Sequence, residues 1–204
     1  MFKITLIGKH TNRDVLLKFG IPAIAASFAG AWVLFKITAM PALLEYQIGE
    51  QTFTITPVKL IIATLLITFS LMEILPAVQK IQFNRNKLVL GGILSGFFGG
   101  LSGLQGAIRS AFLIKSGLTK EAYIATGVFI ACLVDLTRLS VYASKFSAVQ
   151  LNQNLPLLIS ATLAAMAGAL LGNRLLRKVT LRSMQLIVAI LLIVISVALG
   201  MGVV

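Results

Sequence analysis

The stretch Gly91–Gly117, GGILSGFFGGLSGLQGAIRSAFLIKSG, decides how the rest of the chain is read. Glycine recurs at 91, 92, 96, 99, 100, 103 and 106, and Arg109 follows in surroundings that are otherwise apolar. Each of these glycines lowers helix propensity and removes the side chain that would hold other groups away from the backbone. The expectation is a broken helix with accessible amides and a cation close by. Irregular backbone at membrane depth is tolerated only where protein buries it or water reaches it. The segment is therefore expected to line a cavity, where a small anion would pass, and not to face lipid.

The flanking sequence supplies the membrane. Of 204 residues, 58% are hydrophobic and 12% charged, and the mean hydropathy is +0.97, which leaves too little polar surface to cover a soluble globule. Apolar runs at Phe19 to Ile37, Val58 to Val78, Ala122 to Ala143, Leu155 to Gly172 and Met184 to Val204 each approach the roughly 20 residues that a crossing needs. An all-α integral membrane protein with five transmembrane helices plus the glycine-rich hairpin is expected. Met1 to Leu17 has no uninterrupted apolar core and carries Lys3, Lys9 and Arg13, so a cleaved signal peptide is not expected.

A net charge of +12 raises the question of nucleic acid. The basic residues, however, cluster in short loops beside the apolar runs, the pattern of cytoplasmic loops, and the charge reads as topology. The lone Cys132 excludes an internal disulfide framework, leaves no cysteine cluster for a metal, and is expected as a small core residue. No cofactor is expected.

Leu88 to Ile114 would measure roughly 40 Å as one helix, against about 30 Å for one crossing, so length does not settle its path. Charge does. If the segment dips in and returns, the basic loops Met1 to Lys18, Gln79 to Lys87, Lys115 to Glu121 and Asn173 to Arg182 share one side, with 13 of the 18 Lys and Arg. If it crosses, Arg174, Arg177, Lys178 and Arg182 move outside, against the positive-inside bias. A re-entrant hairpin of two half-helices is expected, with the N-terminus inside and the C-terminus outside.

An internal repeat is also legible. Ala23, Ala26, Ala29, Gly30 and Ala31 recur in register as Ala161, Ala164, Ala167, Gly168 and Ala169. The following helices match more loosely, with Leu60, Ile61, Ala63, Leu65, Leu66 and Ile67 against Leu186, Ile187, Ala189, Leu191, Leu192 and Ile193. Under the topology above the repeats are inverted, a common plan of secondary transporters. Residues 1–87 form a partial first repeat of two transmembrane helices with a basic N-terminal loop. Residues 88–204 form a complete second repeat of hairpin plus three helices. The first repeat is expected to lack its hairpin and a helix, which a truncated reading frame, a separate chain or a second copy would explain.

From Gly91 to Tyr142 the chain carries a G-x-x-S-G-x-x-x-G-x-x-G pattern followed by a helix beginning near Ala125, Thr126 and Gly127. This resembles the second half of the sulfite exporter TauE/SafE family. Leu155 to Val204 is similar to that family's last two helices, and Gly20 to Val78 to its third and fourth. The resemblance implies export of sulfite, sulfonates or related organosulfur anions across the cytoplasmic membrane by a multi-pass secondary transporter. The coupling ion and direction come from the resemblance alone.

The candidate substrate-binding residues are Gly100, Ser102, Gly103, Gln105, Gly106, Arg109, Asp135 and Arg138. Arg109 lies near the start of the second half-helix, where free amides and the helix dipole already favour an anion, and a guanidinium suits an oxyanion of sulfur. Its alternatives are pairing with Asp135 or reaching to the interface. Ser95, Ser102, Gln105 and Ser110 offer neutral hydrogen bonds to substrate or, equally, to backbone freed by the break. The glycines also fit close helix packing at spacings such as Gly92 to Gly96 and Gly96 to Gly100. Asp135 and Arg138 are neighbours on one helix face, either a functional pair that carries a proton and completes the pocket or a neutralised structural pair. Glu73 is expected to pair with Lys80 at the interface, His10 to lie in a loop, and Tyr46 and Phe53 to mark the outer interface.

The expected function is secondary transport of a small anion by rocking of one repeat against the other, with a proton as the candidate coupling ion. The expected surroundings are a lipid bilayer, with a homo-oligomer or a second half-transporter chain as partner and no nucleic acid. The alternative is a partner-dependent, non-transporting membrane subunit or a truncated fragment of such a transporter. No enzyme is expected, since no nucleophile with its base, metal cluster or carboxylate pair occurs at workable spacing.

Overall fold

The computed structural model describes residues 11–75, 82–144, 155–175 and 181–203. Helix α1, Arg13–Thr38, starts at Asn12, whose side chain accepts a hydrogen bond from the Val15 amide at 3.1 Å. A wider π-helical turn over Leu16–Gly20 precedes Pro22, whose ring needs room against the preceding turn. Strands β1, Leu44–Ile48, and β2, Gln51–Ile55, form an antiparallel hairpin. Helix α2, Pro57–Ile74, has proline in its first turn, where no amide is missed, and Thr56 as its cap. Helices α3, Leu88–Ser102, and α4, Gly106–Leu113, are the two halves of the glycine-rich segment. Helix α5, Lys120–Ala143, is capped by Thr119, and α6, Leu155–Leu175, and α7, Leu181–Gly200, complete the described chain.

Three described helices are long and apolar enough to cross a membrane: α1, α2 and α5. Leu155–Gly168 of α6 and Gln185–Gly200 of α7 are shorter apolar helices.

The helices pack as two bodies that share a core, since Phe69 of α2 is buried in the cluster of the first and its ring meets Phe98 of α3 edge-on at 5.6 Å. In the first, α1 and α3 run parallel, with Gly92, Gly96 and Gly100 of α3 stepping along Phe19, Ala23 and Ser27 of α1. A methyl group at any of the three would collide with α1 backbone, so the helices approach closely only because the ridge is glycine. Ser27 donates to the Val134 carbonyl at 3.1 Å and so ties α5 to α1. Phe19, Leu88, Phe112, Leu113, Ile130 and Val134 form the centre of its core.

The second body is α2 against α7, antiparallel. Ser70 donates to the Ala189 carbonyl at 2.9 Å, and Ala63 lies against Gly200. At the far end Lys59 Nζ donates to the carbonyls of Thr54, at 3.1 Å, and Gly202, at 3.4 Å. Tyr46 donates its hydroxyl to the Met201 carbonyl, so the β-hairpin clasps this end of the pair.

Three expectations are corrected. The fold is mostly helical but not all-α, because Gly49 takes a positive φ of 64° at the first turn position and Glu50 does not. That is the pattern of a type II′ turn, and it sets Tyr46 opposite Phe53 with rings stacked at 5.3 Å. The run drawn to Val78 ends as helix at Ile74, since Leu75 precedes Pro76 and is driven to extended backbone with ψ of 113°. Cys132 is exposed and not in the core. His10 and Lys80 lie outside the described residues.

Candidate functional site

The break between α3 and α4 is made by Gly103. Its φ of 80° is a left-handed conformation that ends α3, while its amide still bonds the Gly99 carbonyl at 2.9 Å. Ser102 turns its hydroxyl back to the Phe98 carbonyl at 3.0 Å and accepts from the Leu104 amide at 3.3 Å. Its polar atoms are thus spent on backbone that the break releases. Gln105 is 5% exposed, and its Oε1 is buried with no hydrogen-bond partner. Ser95 is also buried, its hydroxyl unpartnered.

The carbonyl end of α3 is held from α5. Tyr142 donates to the Gly100 carbonyl at 3.3 Å, and the Arg138 guanidinium lies against Gly103, where a methyl group would collide with Nη1. A cation at a helix C-terminus is favourable because the unpaired carbonyls carry partial negative charge. Arg138 pairs with Asp135 at 3.6 Å and lies 5.9 Å from the centre of the Tyr142 ring. Asp135 is 46% exposed, so this ion pair contributes little to stability.

Arg109 points from α4 towards α5. A methyl group at Gly127 would lie 3.7 Å from Arg109 Nε, so the glycine of the Ala125–Thr126–Gly127 run leaves space for the guanidinium. Asp135 makes its ion pair with Arg138, and Arg109 Nη1 remains buried without a hydrogen-bond partner.

The amino end of α4 is open. The first intrahelical bond runs from the Arg109 amide to the Gln105 carbonyl at 3.0 Å, so the amides of Gly106, Ala107 and Ile108 precede it. No side chain caps this turn. All three residues line a cavity of about 560 Å³, and nothing lies within 4 Å of the place a Gly106 side chain would take. The opposite walls are Met72 and Glu73 from the end of α2, Gln82 and Phe83 before α3, Leu94 of α3 and Gln185 of α7. The cavity therefore lies on the seam between the two bodies. A helix N-terminus with free amides and the positive end of its dipole attracts an anion.

Of the residues singled out in the sequence, Gly106 and Ser110 line the cavity. Gly100, Gly103, Asp135 and Arg138 gather at the carbonyl end of α3, and Arg109 occupies the face of α4 turned to α5. Gln82 and Gln185 were not anticipated. Glu73 was singled out, but at the interface; an acid inside an apolar helix is itself a signal of function.

A mostly helical scaffold with three helices long and apolar enough to cross a membrane fits an integral membrane protein. The chain belongs to the sulfite exporter TauE/SafE family, whose model matches residues 5–199. Neither the curated proteins nor the solved structures compared yield a match. The family is one of membrane transporters of sulfite or related compounds.

Proposed function

We propose that the chain is a multi-pass secondary transporter of the cell membrane that exports sulfite or related organosulfur anions. The anion binds at the N-terminal turn of α4. The observation that carries this reading is the uncapped turn Gly106–Ile108 opening into the cavity, with the charge of Arg109 on the next residue, turned to α5. The free amides provide oriented donors for an oxyanion, and the nearby guanidinium charge adds to the positive field of the turn. Gly103, Gln105, Ser102 and the Gly100 carbonyl end shape the break, and Asp135 with Arg138 holds α3 in place beside it.

The hairpin enters the membrane and returns to its own side, and five helices cross it. The tie between Phe83 and Ala111, at the two ends of the hairpin, supports this path. Rocking of the α2–α7 body against the α1–α3–α5 body would open the seam on which the cavity lies.

Inverted repeats, residues 1–87 and 88–204, fit the packing. Ala63 and Ser70 of α2 fall at the same offset as Ala189 and Ser196 of α7, all four are buried, and the two helices run antiparallel. A local two-fold axis in the membrane plane would relate them in this way.

One observation favours a partner. Ala23, Ser27 and Gly30 of α1 are buried where α3 packs, whereas the repeat-equivalent Ala161, Ala165 and Gly168 of α6 are exposed. A second glycine-rich hairpin, on the same polypeptide or another, would cover them as α3 covers α1.

The test is flux in proteoliposomes containing only this chain, with sulfite, sulfate and a sulfonate, with and without a proton gradient. Saturable sulfite flux lost in Arg109→Ala supports the reading. Folded protein that carries no anion, and whose stability no anion changes, overturns it.

A further inference from the structure

We infer that the chain binds a halide ion at Ser95, Gln105 and Arg109, in the junction of α3, α4 and α5 and apart from the cavity, which none of the three lines. The two half-helices run antiparallel, with Gly99 against Gln105 and Gly91 against Phe112. Ser95 stands one turn from each of those glycines on α3, and Arg109 one turn beyond Gln105 on α4, so the three occupy adjacent levels of the hairpin. Helix α5 closes the third side. Val134 meets Gly99, Gly127 leaves room for Arg109, and Ile130 between them is fully buried.

Each of the three carries a buried polar atom without a hydrogen-bond partner: the Ser95 hydroxyl, Gln105 Oε1 and Arg109 Nη1. Ser95 is fully buried and Gln105 only 5% exposed. A buried polar atom costs free energy unless it is paired, and a buried charge costs more. The acid within the span of α5 is committed elsewhere, since Asp135 pairs with Arg138, and no ion pair among the described residues reaches Arg109. Three such groups at one junction point to a counter-ion, and its chemistry follows from theirs. The hydroxyl and the guanidinium donate, and a half-turn of the Gln105 amide exchanges Oε1 for Nε2, a third donor. So few donors suit a single-atom anion, whereas an oxyanion of sulfur has several oxygens to satisfy. Space agrees, because a methyl group at Gly99 would already stand 2.9 Å from Val134 and 3.2 Å from Gln105. The walls are hydrocarbon, so a weakly hydrated halide enters at the least cost, bromide ahead of fluoride. In a cell that ion would be chloride. While it is bound, the charge that Arg109 lends to the α4 turn is offset, and anions at the two places oppose one another.

The experiment is thermal unfolding of the purified chain in a nonionic detergent, with sodium gluconate replaced stepwise by sodium bromide at constant ionic strength. The expected result is a midpoint that rises and saturates, with fluoride ineffective. Ser95→Ala should weaken bromide about tenfold, the worth of one hydrogen bond to a charged group. Arg109→Gln should abolish the effect, whereas Lys115→Gln, at an exposed position, should keep it. Sulfite held at the α4 turn should weaken bromide to a limit and no further. Weakening without limit would put both anions in one site and overturn the inference. So would a midpoint indifferent to bromide, or a rise that Ser95→Ala and Arg109→Gln both retain. Sulfite flux is read separately: bromide binding in a chain that carries no sulfite supports the halide site and overturns only the transport reading.

Discussion

The Phe83 amide donates to the Ala111 carbonyl at 3.1 Å, and the Phe83 ring stacks on Phe112 with centroids 4.2 Å apart. The segment entering the broken hairpin is thereby fastened to the half-helix leaving it. Labelling tests the re-entrant path proposed for it. In a Cys132→Ala background, Asn84→Cys and Lys115→Cys should react with a membrane-impermeant maleimide from the same side, and Glu50→Cys from the other. Labelling of Asn84→Cys and Lys115→Cys from opposite sides would mean that the hairpin crosses.

The glycine ridge of α3 gives a contrast in stability. Gly96→Val should cost about 3 kcal/mol, because its side chain meets the backbone of Ala23 and no flexible group that could move aside. Gly106→Ala should be neutral or stabilising by up to ~1 kcal/mol, since the site is open and alanine favours helix. Unfolding in mixed micelles measures both, and equal costs would contradict the packing of α3 on α1.

Gly103 and Arg138 should be coupled. Gly103→Ala places a side chain on left-handed backbone, at a cost of about 1–2 kcal/mol, and also drives it into the Arg138 guanidinium. A double-mutant cycle with Arg138→Ala should recover the second part of the loss and not the first. Strict additivity would show that the guanidinium does not rest against the break.

Ser70 and Ser196 occupy matching places but use their hydroxyls differently. Ser70 bonds across to Ala189, whereas Ser196 bonds to Leu192 of its own helix at 2.6 Å. Ser70→Ala should weaken the α2–α7 pair by about 0.6 kcal/mol, the mean for such bonds between membrane helices. Ser196→Ala should cost less. The reverse order would argue against the antiparallel register.

How far the sequence could be read depended on whether a feature was local. Glycine's effects act at its own position, so Gly91–Gly106 announced both the break and the close packing, and the structure realises both. Helix ends were drawn from apolar runs alone, so the start of α5 at Lys120, set by the Thr119 cap, and the end of α2 at Ile74, set by Pro76 beyond it, were both displaced by a few residues. The β-hairpin was hidden because its alternation is brief and lies between two membrane-length helices. The cavity was least legible. Gln82 precedes α3 and Gln185 lies in the second turn of α7, and only tertiary packing brings them to the cavity that Gly106 lines. Asp135 offered two partners by spacing alone, and the helical register of α5 decides for Arg138.

The clasp of the β-hairpin bears on how the seam between the two bodies can open. Tyr46 reaches Met201, Lys59 reaches both Thr54 and Gly202, and the strands continue directly from α1 into α2. The hydrogen bonds thus hold the hairpin to α2 and α7 at the end remote from Glu73 and Gln185, and the chain between Thr38 and Leu44 links that end to α1. Any rocking of α2 and α7 would therefore carry the hairpin with it and would have to part the Phe69 ring from Phe98 of α3.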